Sequence, residues 1–217
     1  VAVELAPGER AEIPVEVAVV TKGVASTSTV TGTLLDSAGR PEFARVSSLV
    51  YLGPNGRVVI YPDADAYVRA AAPTSNTGRQ PTLAVDGGSA TLGDEHHSLG
   101  YLRFPLDIPG KPVSVLFRVF VPTGGHTQSG DSGTIRLVEG AWEETTVNYK
   151  NAPKPGPEIG KMGKVDQGVW IERKLNVDLA GRTHLSIVID PTSCDGAVYV
   201  SREGKEKPEL VVDYEAP

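Results

Sequence analysis

Few stretches of this 217-residue chain carry side chains whose types could do chemistry. The run Asp94-Glu95-His96-His97 combines imidazole with carboxylate, the pairing that binds metals and moves protons. Successive side chains of an extended chain point to opposite faces, so the two histidines do not readily converge on one ion. Set between Gly93 and Gly100, the run reads as a polar hairpin tip. His126 and His184 stand in no partner motif, and no segment resembles a nucleophile elbow. Glycoside hydrolysis needs two carboxyl groups about 5 to 9.5 Å apart across a cleft. Glu143 and Glu144 are sequence neighbours that diverge, and the expectation is a chain without an active site.

Binding chemistry is better represented. Asp63, Asp65 and Asn76 are the candidate metal ligands, and their hard oxygens suit a structural Ca2+ that would pin a long connection. The competing reading is that Asp65 simply starts a strand and Asn76 forms an Asx-turn. Arg69, Arg79, Lys150, Lys154, Lys161 and Lys164 lie in or beside loops, where guanidinium forks and ammonium groups could grip carboxylated sugars. Trp142, Tyr149 and Trp170 offer rings for sugar stacking, although a tryptophan in a small sandwich more often packs in the core. From these sets the candidate ligand-binding residues are Arg69, Arg79, Lys150, Trp142 and Tyr149.

The elements that must position these residues are strands. Hydrophobic residues make up 40% of the chain, and 24 glycines and 17 prolines punctuate it with turns. The dominant period is two, as in Ile13, Val15, Val17 and Val19, which implies antiparallel sheets with one face buried. Further strands read over 29–35, 45–52 and 57–61, separated by the turn signals Asp36-Ser37-Ala38-Gly39-Arg40-Pro41 and Gly53-Pro54-Asn55-Gly56. From Asp63 on, strands read over 65–69, 82–85, 99–104, 113–121, 133–138, 170–175, 184–189, 197–200 and 210–214. No long stretch has helical periodicity, and 143–150 makes at most a turn or two. The expected fold is all-β: a jelly-roll-like antiparallel β-sandwich over 61–217, preceded by a small or incomplete β-module over 1–60.

Charge and cysteine content narrow the partners. A net charge of −6 disfavours nucleic acid, which needs a basic face. The single Cys194 excludes an intrachain disulfide, and no apolar run approaches the roughly 20 residues that cross a bilayer. The chain starts inside a predicted strand with no initiator methionine, and reads as a piece of a longer protein with other domains.

Several segments in order carry a resemblance. Asp65-Ala66-Tyr67-Val68, Asn76-Thr77-Gly78 and Leu83 are followed by Tyr101-Leu102-Arg103-Phe104-Pro105-Leu106 and then by 115–121. Next come Trp142-Glu143-Glu144-Thr145-Thr146-Val147-Asn148-Tyr149 and, at the close, Ser201-Arg202-Glu203 before Pro208-Glu209-Leu210-Val211-Val212-Asp213-Tyr214. Over roughly 63–215 the chain resembles the DNRLRE-domain family, departing from it at Tyr149, where that family commonly has tryptophan. The Gly-rich stretch 124–133 looks peculiar to this sequence. The resemblance implies a secreted or cell-surface, non-catalytic bacterial β-sandwich of the carbohydrate-binding-module type, some members of which bind acidic polysaccharide such as alginate. It also implies a structural hydrogen-bonding role for Glu143. Ser201, Arg202 and Glu203 are expected to fasten the last loop by internal hydrogen bonds and an ion pair. The leading expectation is therefore a non-catalytic module binding an anionic polysaccharide. The alternative is a structural or adhesive module that binds no sugar.

Overall fold

The computed structural model describes residues 26–35, 41–52, 55–88 and 96–215, with the side chains of 26–55 excepted. The strand read over 12–19 and the residues Asp94 and Glu95 lie outside the described residues. Thirteen strands are described, all paired antiparallel. β1 (Ser26–Leu35) and β2 (Pro41–Leu52) form a two-stranded sheet in register from Ser26↔Leu52 to Leu35↔Pro41, with an irregularity between Thr33 and Leu35.

Two larger sheets build the sandwich. One holds β3 (Asn55–Ile60), β7 (Lys111–Val121), β10 (Val169–Lys174) and β13 (Glu209–Glu215) in the order β10-β7-β13-β3. The other holds β4 (Ala64–Arg69), β6 (Ser98–Pro105), β8 (Thr134–Leu137), β9 (Glu158–Lys161) and β11 (His184–Asp190) in the order β4-β6-β11-β8-β9. β5 (Thr82–Val85) and β12 (Ala197–Val200) make a third, two-stranded sheet.

Period-two alternation decides which face each strand buries. Val115, Phe117, Val119 and Val121 of β7 enter the main core with Leu102 and Phe104 of β6 and Leu185, Ile187 and Ile189 of β11. The rings of Phe104 and Phe117 meet edge to face at 6.3 Å between the sheets. The opposite parity of the five-stranded sheet, Ala64, Ala66, Val68, Leu99, Tyr101 and Val188, forms a second buried layer with Val138, Trp142 and Val147. This outer face is thus covered by the segment that follows β8. Arg103, at the same parity, is half-buried beneath that segment rather than on an open face.

Candidate functional site

β4 pairs on one side with β6 and has no strand on its other side among the described residues, so its outward backbone groups need partners from elsewhere. Side chains from two loops supply them. The Asp65 N–H donates to Glu144 Oε1 at 2.9 Å and the Tyr67 N–H to Thr77 Oγ1 at 2.9 Å, while the Thr77 hydroxyl donates to the Tyr67 carbonyl. Asn76 ties the Glu144 loop in turn: its amide donates to the carbonyls of Glu144 and Val147 at 2.6 and 2.8 Å. Its Oδ1 accepts from the Gly78 N–H at 3.3 Å, the Asx-turn geometry. At Gly78 a Cβ would stand 2.3 Å from the Glu144 carbonyl oxygen, so a glycine is required for the two loops to touch.

The last loop closes this arrangement. Arg202 donates from its backbone to Asp65 Oδ2 at 2.7 Å, and its Nη1 sits 2.9 Å from both oxygens of Glu144 and 3.6 Å from Glu203. Ser201 Oγ donates to the Gln80 carbonyl at 2.6 Å. The expected fastening role of Ser201-Arg202-Glu203 is therefore what the structure shows. The hydrogen-bonding role assigned to Glu143 is corrected: that side chain is exposed, and its neighbour Glu144 makes the bonds. The Glu143 carbonyl accepts from the Thr146 and Val147 N–H groups, and the turn so formed presents Glu144 to β4.

Asp65, Glu144 and Glu203 bring carboxylate oxygens within 4.8 Å of one another, a donor set that could hold a cation. Burial, with some help from the charges of Glu203 and Glu144, pushes the Asp65 carboxyl up to about 7 against the pull of the Arg202 N–H. The Glu144 carboxylate raises Arg202 above its usual range. Of the three residues assigned as ligands from sequence, only Asp65 belongs to this cluster. Asp63 instead accepts from Arg103 Nε at 2.9 Å and lies 3.6 Å from His184 Nε2, and Asn76 is committed to backbone. Glu144 and Glu203 went unrecognised as ligands because they lie 79 and 138 positions from Asp65 in sequence, beyond any spacing motif.

The candidate sugar-binding residues divide. Arg69 ends β4 and is exposed, Arg79 follows Gly78 and is exposed, and the exposed Lys150 donates its backbone N–H to the Pro73 carbonyl at 3.2 Å. Tyr149 is half-buried, with its hydroxyl 2.8 Å from His97 Nδ1 and the two rings edge to face at 5.8 Å. The Ala70 N–H donates to the His97 carbonyl at 2.9 Å, so Arg69, Tyr149 and Lys150 gather around the 70–79 loop. Trp142 does not join them. It is 6% exposed, edge to face with Tyr101 at 5.9 Å and beneath the Arg103 guanidinium at 5.6 Å. Trp170 lies on the outer face of the four-stranded sheet, edge to face with Phe120 and under Arg118.

Among the described residues no helix is long and apolar enough to cross a membrane. A sandwich whose motif residues are spent on holding loops, with exposed cations at the rim of those loops, has the build of a binding module. The chain belongs to carbohydrate-binding module family 96, whose model matches residues 57–214. It is a non-catalytic, carbohydrate-binding type of module, as the motifs implied, although the match names family 96 rather than the DNRLRE family. No curated protein matches the chain.

Proposed function

We propose that the chain is a secreted or cell-surface module that recognises an acidic polysaccharide, through Arg69, Arg79 and Lys150 with Tyr149 beside them. The observation that carries this reading is a contrast among cations. Arg57, Arg103, Arg118, Arg136, Arg182 and Arg202 all hold carboxylates, whereas Arg69, Arg79 and Lys150 pair with no carboxylate among the described residues. On a chain of net charge −6, exposed cations left without internal partners around one loop suit a carboxylated polymer. Trp142, being buried, serves this reading by supporting the loop that carries Tyr149 and Lys150. In the same reading the lead over 1–60 is a separate small module, except that its last strand, β3, pairs with β13 inside the sandwich sheet.

The test is affinity electrophoresis through gels containing alginate, pectin or a neutral glucan. Retardation is expected in the uronic gels and its loss in the triple variant Arg69→Ala, Arg79→Ala, Lys150→Ala. Equal mobility in all gels would overturn the reading.

The cation of the Asp65, Glu144 and Glu203 cluster we take to be a structural Ca2+. Three carboxylates against one guanidinium leave surplus negative charge, and hard oxygen donors match that ion.

A further inference from the structure

An open cleft of about 610 Å³ lies away from these cations, beside the β5–β12 sheet. Its lining includes Asp86, His126, Gln128, Gln167, Asp195 and Gly196. That volume falls within the range of small-ligand sites.

Its polar groups are held in place and only partly used. Asp86 Oδ1 accepts from the Gly88 N–H at 2.8 Å, and Asp195 Oδ2 accepts from the Gly130 N–H at 2.5 Å. Each carboxylate thus keeps a second oxygen without a hydrogen-bond partner among the described residues. Gln167 Oε1 accepts from the Gly124 N–H at 3.1 Å, which leaves its amide donors available, and Gln128 is exposed with no side-chain partner among the described residues. A Cβ on Gly196 would fall 2.7 Å from the Val85 carbonyl and 2.8 Å from Asp86 Oδ2, so the floor is shaped around a missing side chain.

The rim adds a second observation. His126 is the one described non-glycine residue with left-handed backbone, at φ 62°. Such a conformation is uncommon and persists where the surroundings impose it, often at ligand sites. Here Thr127 imposes it from both sides: its hydroxyl donates to the Gly124 carbonyl at 3.1 Å, and its carbonyl accepts from the Val198 N–H at 3.1 Å. The exposed His126 thereby forms part of the cleft lining.

We infer that this cleft is a second glycan site, and that it takes a short neutral oligosaccharide rather than an acidic one. Vicinal hydroxyls satisfy both carboxylates and primary amides, and the flat imidazole can lie on a pyranose face. A uronate carboxylate would meet Asp86 and Asp195 with like charge, and no lysine or arginine lines the cleft to offset it. The inference rests on the reading of the chain as a sugar-binding module, but it uses none of the residues proposed for the acidic polymer.

The test is calorimetric titration of the full chain with cellohexaose, xylohexaose, mannohexaose, laminarihexaose and a hexauronate, using two variants. Gln128→Ala removes a hydrogen-bonding group. Gly125→Trp adds a ring to a residue of the cleft lining where a Cβ meets nothing within 4 Å, so that the substitution obstructs the cleft without crowding the backbone. At least one neutral hexasaccharide should bind, with affinity falling about tenfold in each variant, while retardation in alginate gels is unchanged. The Arg69, Arg79, Lys150 triple variant should do the reverse. Absence of neutral binding, neutral binding insensitive to both variants, or a hexauronate competing for this cleft would each overturn the inference. Loss of alginate retardation alone would overturn only the acidic-polymer reading.

Discussion

Glu144 shows how one side chain can decide a neighbourhood. Its carboxylate accepts from the Asp65 N–H and from Arg202, so Glu144→Ala strands an edge-strand N–H and a part-buried guanidinium together. An unsatisfied group of this kind costs about 1–3 kcal/mol. A lower urea midpoint with an unchanged slope is the expected result. Asp65 gives a pH signature. With divalent ions removed by EDTA, its folded-state carboxyl keeps a proton up to about pH 7, whereas the unfolded chain releases it near 3.8. The folded state then binds more protons across that window, and its stability is expected to fall as pH rises from about 4 to 7. Asp65→Asn should flatten this slope. Ca2+, by favouring the ionised carboxylate, should raise the melting temperature in the wild type at neutral pH and not in the variant.

At the level of elements, the segment from Glu139 to Pro153 behaves as a cover. Trp142 and Val147 press on the outer face of the five-stranded sheet, and the Tyr101 hydroxyl donates to the Pro153 carbonyl at 2.7 Å. Trp142→Ala should therefore cost about 3–5 kcal/mol, as for a large core truncation, and should weaken acidic-polymer binding through loss of the Tyr149–Lys150 turn. Hydrogen–deuterium exchange accelerated over 64–69 and 143–152 would record that loosening. The strands were legible because β7 alternates cleanly and β4, β6, β11 and β13 are short apolar-rich runs buried on both faces and bounded by polar or turn residues, and sequence alone located them to within about two residues. β9 escaped because Glu158-Ile159-Gly160-Lys161 has one apolar side chain and sits at a sheet edge, where pairing needs no alternation. The cover was legible only as a motif. Nothing in the period of Trp142 to Tyr149 says which sheet face it will close, because that depends on β4 being an edge strand among the described residues.

Over the whole molecule, charge separates the two proposed modes of recognition. A chain of net charge −6 meets a polyanion only through a local surplus of cations, and Arg69, Arg79 and Lys150 supply one while the paired arginines do not. Binding carried by exposed, unpaired cations displaces counterions from the polymer and is screened by added salt. Raising NaCl from about 50 to about 500 mM shortens the screening length from more than ten to a few ångströms, and should lower affinity for alginate by roughly tenfold or more. A neutral oligosaccharide held in the cleft by Asp86, Gln128 and Asp195 releases no counterions, and its affinity should change by less than about twofold over the same range. Titrations of both ligands in the same salt series read the two contributions separately. Parallel salt slopes would mean that one site serves both sugars. A flat alginate curve would mean that the exposed cations take no part.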